Sequence, residues 1–438
     1  MASGKHLDIA IIGAGIAGLR AAAALATAGL KVVILEARGR IGGRIYTCHD
    51  PLSGLPVELG AEFIHGKHPE LLSLIENASL SLTEVTGEHR FLFNGKLEQA
   101  GDRMQQVQGL LQKMPGTAAR DRSFADFLRE CDCDAETKGW AASYVEGFNA
   151  ADQERISAYA LQRQSKAEEE IDGDKSFRLI NGYEGLPLAL FRSVAQRIEL
   201  HRNTVVKRVE WRRNHVELST RVLASGHSRT FEAKKCLITV PLGVLQAAPS
   251  TGAGIVFAPE ITQIRNAARQ LAMGPVLKIV LRFRERFWES RKELDSISFL
   301  HSQNEWFPTW WTTFPIHAPL LTGWMGGAKA QKAAATKKSE ILDQAIASLS
   351  PLLHLGEKEL FELLDNWYFH DWQSDPFSLG AYSYVPAGAW EAAQQLSAPA
   401  ENTLFVAGEA ADFSGHWGTV HGALLSGSRA AHAVLESW

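Results

Sequence analysis

LDIAIIGAGIAGLRAAAALATAGLKVVILEA, residues 7–37, decides the fold. Leu7 to Ile12 is an unbroken apolar run, which at this length reads as a buried strand. Gly13, Gly15 and Gly18 then fit GxGxxG. Residues 17–28 are almost all helix formers and stop before Gly29, a residue suited to the position after a helix. Lys31 to Leu35 reads as a second strand, closed by Glu36, 18 residues past the last glycine. A glycine triplet alone is weak evidence. With a strand before it, a helix after it and an acid at this distance, it predicts a dinucleotide-binding βαβ unit. Gly13 allows the tight turn, Gly15 lets backbone approach a pyrophosphate, and Gly18 lets the helix pack close to the strand. The helix N-terminus offers free N–H groups to phosphates. Glu36 can accept from ribose hydroxyls and would repel a 2′-phosphate, which argues against NADP.

The bulk numbers narrow the class. A chain of 438 residues is too long for one ordinary core, so two or more domains are expected. A net charge of −4 gives no global pull toward nucleic acid or anionic membrane. No apolar stretch is long enough to span a bilayer. MASGKHLDIA leads straight into a strand and carries no export signal. Cys48, Cys131, Cys133 and Cys236 form no CxxC pair, and no histidine cluster has metal-ligand spacing, so the expectation is a reduced, cytoplasmic protein without metal. Trp306, Trp310, Trp311 and Trp324 lie close together, either as core or as the wall of an aromatic pocket.

MGPVLKIVLRF, residues 273–283, sets one lysine inside an apolar run. Leu277, Ile279, Leu281 and Phe283 share one face; Val276, Lys278, Val280 and Arg282 share the other. On the strand alone, this alternation predicts a face open to water.

Beyond Glu36, EARGRIGGRIYT (residues 36–47) places Arg40 and Arg44 around Gly42 and Gly43, donors suited to a pyrophosphate. Nicotinamide enzymes do not need this second cluster. The acid followed by RxGGR resembles the flavin-binding signature of the flavin amine oxidase family. The resemblance continues through VELGAEFIHG (57–66), LINGYEGLPLAL (179–190), NTVVKRVEW (203–211), ITVPLGVLQ (238–246) and LFVAGEAADFSGHWGTVHGALLSG (404–427). It is closest to polyamine oxidases and to the catalytic core of lysine-specific histone demethylases. It implies an α/β fold with a Rossmann-like FAD-binding domain assembled from residues 1–70, 178–262 and 396–438. Residues 71–177 and 263–395 would form a substrate domain with a mixed sheet and flanking helices.

Carried over residue by residue, the resemblance implies an FAD site of Gly13, Gly15, Ala17, Gly18, Glu36, Ala37, Arg38, Gly43 and Arg44. Gly60, Ala61, Glu62 and Phe63 would lie along the flavin, and Val206 at the adenine. Trp372, Gly408, Glu409, Thr419 and Val420 would complete the set. Lys278 falls on the family lysine that reaches flavin N5 through a water. Burying that amine requires a partner or loss of its proton. Tyr382 matches one aromatic wall of the amine site, with His65, Trp311, Trp372 and Thr419 as further pocket residues. Thr419 stands where monoamine oxidases carry a second tyrosine. Ala381 stands where they carry the cysteine that bonds the flavin, so FAD is expected to be noncovalent.

The implied reaction passes a hydride from the α-carbon of a small-molecule amine to FAD. It yields an imine, then an aldehyde, and molecular oxygen becomes hydrogen peroxide. An L-amino-acid oxidase would need an arginine clamp, which GAEFIHG lacks where relatives place it. A non-catalytic FAD-binding scaffold would keep the glycines and Glu36 without needing Lys278 or Tyr382. No membrane or nucleic-acid partner is expected, and a homo-oligomer stays open. SKAEEEIDGDKS (165–176) reads as a solvated charged loop, or as a pocket entrance attractive to cations. AKAQKAAATKKSE (328–340) reads as a surface helix.

Overall fold

The computed structural model describes residues 7–99, 101–304 and 306–438. The N-terminal MASGKH, read above for a leader, lies outside them. The expected βαβ unit is present as strand Leu7–Ile12, helix Ile16–Thr27 and strand Val32–Leu35. The two strands pair in parallel, Ile11 opposite Ile34. Strand Ile198–His201 extends the sheet on one side, and Ser228–Ile238 followed by Leu404–Val406 on the other, all in parallel. Three distant stretches of chain thus build one sheet. Its strands Val32–Leu35 and Leu404–Val406 are apolar and buried throughout because both faces are covered there. Ile9, Ile11 and Ile34 pack in one core with helices Ile16–Thr27, Gly185–Val194 and Val420–Glu436. Ala10, Ile12 and Val33 pack in a second core on the opposite face.

That second core also holds Ile264, Ala267 and Ala268 of helix Thr262–Gln270, and Ala392 and Leu396 of helix Ala392–Ser397. Both helices were expected on the substrate side, apart from their outermost residues. Their apolar faces cover the dinucleotide sheet instead.

A second sheet of seven strands runs Leu364–Phe369, Val276–Phe283, Leu320–Gly326, Thr309–Thr312, Ile297–His301, Glu88–Phe93 and Lys96–Gln99. It is mixed: Ile297–His301 is parallel to Glu88–Phe93, and the remaining pairs are antiparallel. Leu277, Ile279, Leu281 and Phe283 pack against helix Lys338–Leu353. The other face of the lysine strand is not wet. All eight residues of Val276–Phe283 are buried. Val280 packs with Val57 and Leu59 beside the hairpin Thr47–His49/Pro56–Glu58. Arg282 is buried in ion pairs with Asp50 and Asp365. The alternation therefore marks a junction between the seven-stranded sheet and the N-terminal hairpin with the residues after it, not an exposed face.

Two other readings are corrected. Residues 165–169 close the helix Ala158–Glu169 rather than forming a loop, while Glu168, Gly173 and Asp174 line the cavity, in keeping with the pocket-entrance alternative. The alanine-lysine stretch is broken into helix Gly327–Lys332, a short 3-10 turn and the start of helix Lys338–Leu353, because Ala330 and Ala333 are drawn into the core.

Candidate active site

One cavity of about 880 Å³ runs from the glycine turn to the seven-stranded sheet. This lies toward the upper end of the roughly 300–1,000 Å³ usual for cofactor clefts. Its nucleotide end is built by the first βαβ unit. Gly13 has φ +107°, which a side chain rarely adopts, and makes the turn out of the strand. A Cβ on Gly18 would lie 2.2 Å from the Gly13 carbonyl oxygen, so Gly18 serves close packing and does not reach the cavity wall. Gly15 does reach it, and a Cβ there would meet no atom within 4 Å. Gly15 caps the helix without a side-chain bond, leaving first-turn amides directed at the cavity. Ala17 and Ala37 line the same end.

Glu36 is buried beside them. The Ala14 N–H donates to one carboxylate oxygen at 2.7 Å and the Arg38 N–H to the other at 2.8 Å. Burial raises its pKa against the pull of those donors. Val206, in strand Thr204–Arg212, closes this end.

The arginine turn divides its labour. Arg38 binds Asp375 at 2.7 Å, and Arg44 binds Glu409 at 2.7 Å and the Ala381 carbonyl at 2.8 Å. Both line the cavity, as does Gly43. Arg40 turns away: it donates to the Ile41 and Ile45 carbonyls and stacks on Tyr46. It is a brace for the turn rather than the pyrophosphate donor expected. Glu409 also accepts from the N–H groups of Ser383 and Gly418 at 3.2 and 3.1 Å. Bare backbone at Gly408 faces the cavity, since a Cβ there would meet nothing within 4 Å. Thr419 caps helix Val420–Glu436, accepting from the Gly422 N–H and donating to the His416 carbonyl at 2.6 Å. Its hydroxyl is thus committed to the helix, whose first residue, Val420, lines the cavity.

At the other end lies Lys278, side chain buried. Its Nζ donates to Glu62 Oε2 at 2.8 Å and to the Gly60 carbonyl at 3.1 Å. The other Glu62 oxygen accepts from Arg178 Nε at 3.0 Å and Trp311 Nε1 at 2.9 Å. Arg178 further donates to the Thr312 and Phe314 carbonyls and stacks on Phe63. Burial works to raise the Glu62 pKa, but Lys278 and Arg178 outweigh it and hold the carboxyl below its ordinary range. The partner that Lys278 requires is therefore Glu62, expected only to lie along the flavin. Ala61 lines the cavity next to it.

Aromatic rings wall this end. Tyr382 stacks on Trp324 at 6.4 Å and donates its hydroxyl to the Phe148 carbonyl at 2.7 Å. Trp324 lies opposite Lys278 in the sheet and 5.8 Å from Trp311. Trp311 and Trp324 line the cavity, while Trp310 belongs to the core. Trp372 is buried and donates to the Leu59 carbonyl at 2.8 Å. His65 pairs through Nδ1 with Ser176 Oγ at 3.2 Å, and burial pushes its pKa down to about 4.

Every residue assigned to the site lines this cavity except Gly18. The residue missed is Arg178; Trp324 and Glu168 enter the sequence reading only within the tryptophan group and within SKAEEEIDGDKS, each with a pocket role as one of two alternatives. Arg178 carried the same signal as Lys278, a charge inside the apolar strand Ser176–Leu179. The uncapped helix, the bare glycines and the buried ribose acid fit a dinucleotide with its pyrophosphate at the turn.

A family model described as flavin containing amine oxidoreductase matches residues 16–435. The chain belongs to this family. Polyamine oxidase 4 of Oryza sativa subsp. japonica is 28% identical over 97% of this chain and 88% of its own length. Lysine-specific histone demethylase 1 homolog 2 of Arabidopsis thaliana is 28% identical over 99% of this chain and 59% of its own length. The fold matches that of putrescine oxidase solved with putrescine, with a TM-score of 0.81, 21% identity, and coverage of 99% of this chain and 100% of that one. As a member of the amine oxidoreductase family, the chain is an FAD-dependent amine oxidase.

Proposed function

We propose that the chain oxidises a C–N bond of an alkyl amine or polyamine held between Lys278 and the aromatic wall of Tyr382, Trp311 and Trp324. Bound FAD supplies the two-electron acceptor for the amine, and oxygen is the acceptor that restores it. The observation that carries this reading is the buried Lys278–Glu62 pair opening on an aromatic-walled cavity. Aromatic faces favour a substrate ammonium along the chain while the reacting nitrogen loses its proton. His65, kept neutral by burial, offers an uncharged neighbour to that nitrogen. Lys278 would hold a water at the flavin edge, positioned by Glu62 and the Gly60 carbonyl. Gly15, Glu36, Arg44 and Glu409 would hold the nucleotide and ribityl parts. Ala381 on the wall has no thiol to bond the ring, so FAD would be noncovalent. Acid precipitation is then expected to leave the flavin in the supernatant, and flavin in the pellet would contradict this.

An amino-acid oxidase is disfavoured by a specific observation. Among the described residues, both arginines on the cavity wall, Arg38 and Arg44, are already bound to carboxylates. Neither is free to clamp a substrate carboxylate. The test is anaerobic mixing of the yellow protein with putrescine, spermidine, an N-acetylated polyamine, an aryl-alkyl monoamine and an L-amino acid. Bleaching of the flavin band by an amine, reversed by air with peroxide formed, is the expected result. Bleaching by the amino acid alone would overturn the reading.

A further inference from the structure

Three histidines cluster behind the cavity wall at Thr419 and Val420, and the reaction proposed above gives them no role. His421, in the first turn of helix Val420–Glu436, is buried and lines the cavity. Its ring stacks on His68 at 5.7 Å and meets the His416 ring at 4.7 Å. His68 and His416 close the triangle at 5.7 Å. His68 precedes helix Pro69–Asn77, is partly exposed and does not line the cavity. The cluster therefore runs from the cavity wall toward the surface. Among the described residues, His421 Nε2 and His68 Nδ1 are buried without a hydrogen-bond partner. Orphan nitrogens are costly in ordinary packing. On neighbouring stacked rings they suit a proton that passes between them, directly or through one water.

The carboxylates nearest the rings are paired with arginines. Glu70, on the helix that His68 precedes, binds Arg20 at 2.8 Å, and Asp412 binds Arg429 at 2.9 Å. Glu170 and Arg429 also bear on His416, and His65 bears on His421. Burial holds all three imidazoles below their ordinary pKa, His421 well below it. The positive end of helix Val420–Glu436 adds to this at His421. A proton that reaches His421 is therefore not kept there, and His68 offers it a wetter ring. The reaction has such a proton to lose. An alkyl ammonium titrates at about 10.4, as lysine does, so at neutral pH the substrate arrives charged. It must shed a proton before a hydride can leave its α-carbon.

Given the amine-oxidase reading above, we infer that His421, His416 and His68 carry the substrate ammonium's proton from the cavity to water. The N–H bond breaks with its electron pair left on the amine nitrogen. Each imidazole on the route takes the proton on one ring nitrogen and gives up the proton of the other. Water or a buffer base at His68 receives it. His68 lies off the cavity wall and acts only through His421.

The test is anaerobic flavin reduction in the FAD-loaded enzyme, using whichever of putrescine, spermidine, an N-acetylated polyamine and an aryl-alkyl monoamine reduces the wild type fastest. His68→Ala should keep its FAD and be reduced about 10-fold or more slowly at about pH 7, toward the low end of what losing a proton-transfer group costs. The loss should shrink at about pH 9, where roughly 100-fold more of the amine arrives neutral. Added imidazole, a mobile base, should restore the rate at about pH 7. His421→Ala should show the same pH pattern. If that variant binds no FAD, His68→Ala decides alone. Wild-type rates in His68→Ala at about pH 7 overturn the inference. So does a loss that is equal at both pH values or that imidazole leaves untouched, which is what a merely structural role would give. If none of the four amines reduces the wild-type flavin, the amine-oxidase reading falls first and this inference with it.

Discussion

Lys278 Nζ lies 2.8 Å from Glu62 Oε2, and both side chains are buried although the residues are 216 positions apart. Each answers a question the other raises. A buried amine needs a counter-charge, and a buried carboxylate needs donors. Glu62 receives them from three side chains, Lys278, Arg178 and Trp311. The strand from the second sheet and the loop after the N-terminal hairpin are tied at this point.

Removing the carboxylate should therefore be worse for the fold than removing the amine. Glu62→Gln leaves Lys278 and Arg178 buried without their common counter-charge, expected to cost about 3–5 kcal/mol. Lys278→Met leaves Glu62 with Arg178 and should cost less. The double variant should be more stable than Glu62→Gln alone, because one uncompensated cation is gone. Urea midpoints of the three proteins check this. A double variant no more stable than Glu62→Gln would show that the charges are not coupled.

Gly15 and Gly18 should respond oppositely to valine. Gly15 has φ −72°, which any residue adopts, and open space where its Cβ would go. Gly15→Val should fold but fill the phosphate end, giving colourless protein with a native circular dichroism spectrum. Gly18→Val would drive a side chain into the Gly13 carbonyl, 2.2 Å away, and should not fold. Stoichiometric FAD in purified Gly15→Val would contradict the placement of the nucleotide.

The pair shows why some of the site was legible from sequence. The glycine turn is local: strand, turn, helix and acid lie within thirty-odd residues, so their spacing carries the geometry. Taken alone, the Lys278 strand points to a wet face because what covers it, Val57, Leu59 and Glu62, arrives from far along the chain. Arg178 carries the same signal as Lys278, a charge inside the short strand SFRL. Glu168 reads from sequence only as one of several acids in a stretch that is either a solvated loop or a pocket entrance. Its burial depends on a loop closing over the helix end, which helical spacing does not encode.

His65 makes stability pH-dependent in a defined direction. Its pKa is pushed down to about 4 in the folded protein by burial, below the ordinary value of 6.5. The unfolded chain therefore binds the proton first, and stability is lost as pH falls from about 6.5 toward about 4. Between about pH 7.5 and about pH 5, His65 accounts for about 2 kcal/mol of that loss. His65→Asn should lose less stability than wild type across that interval. Equal losses in urea titrations at the two pH values would contradict the burial of a neutral imidazole.

The central claim is that Lys278 serves the flavin and not merely the sheet junction. The most direct measurement is single-turnover flavin reduction and air reoxidation in Lys278→Met, with FAD content measured on the same sample. The expected result is full FAD occupancy with one of the two half-reactions slowed about 100-fold or more, as for loss of a group that manages a proton. Near-wild-type rates in both halves with full FAD would contradict it, and would leave Lys278 as the structural partner of Glu62 alone.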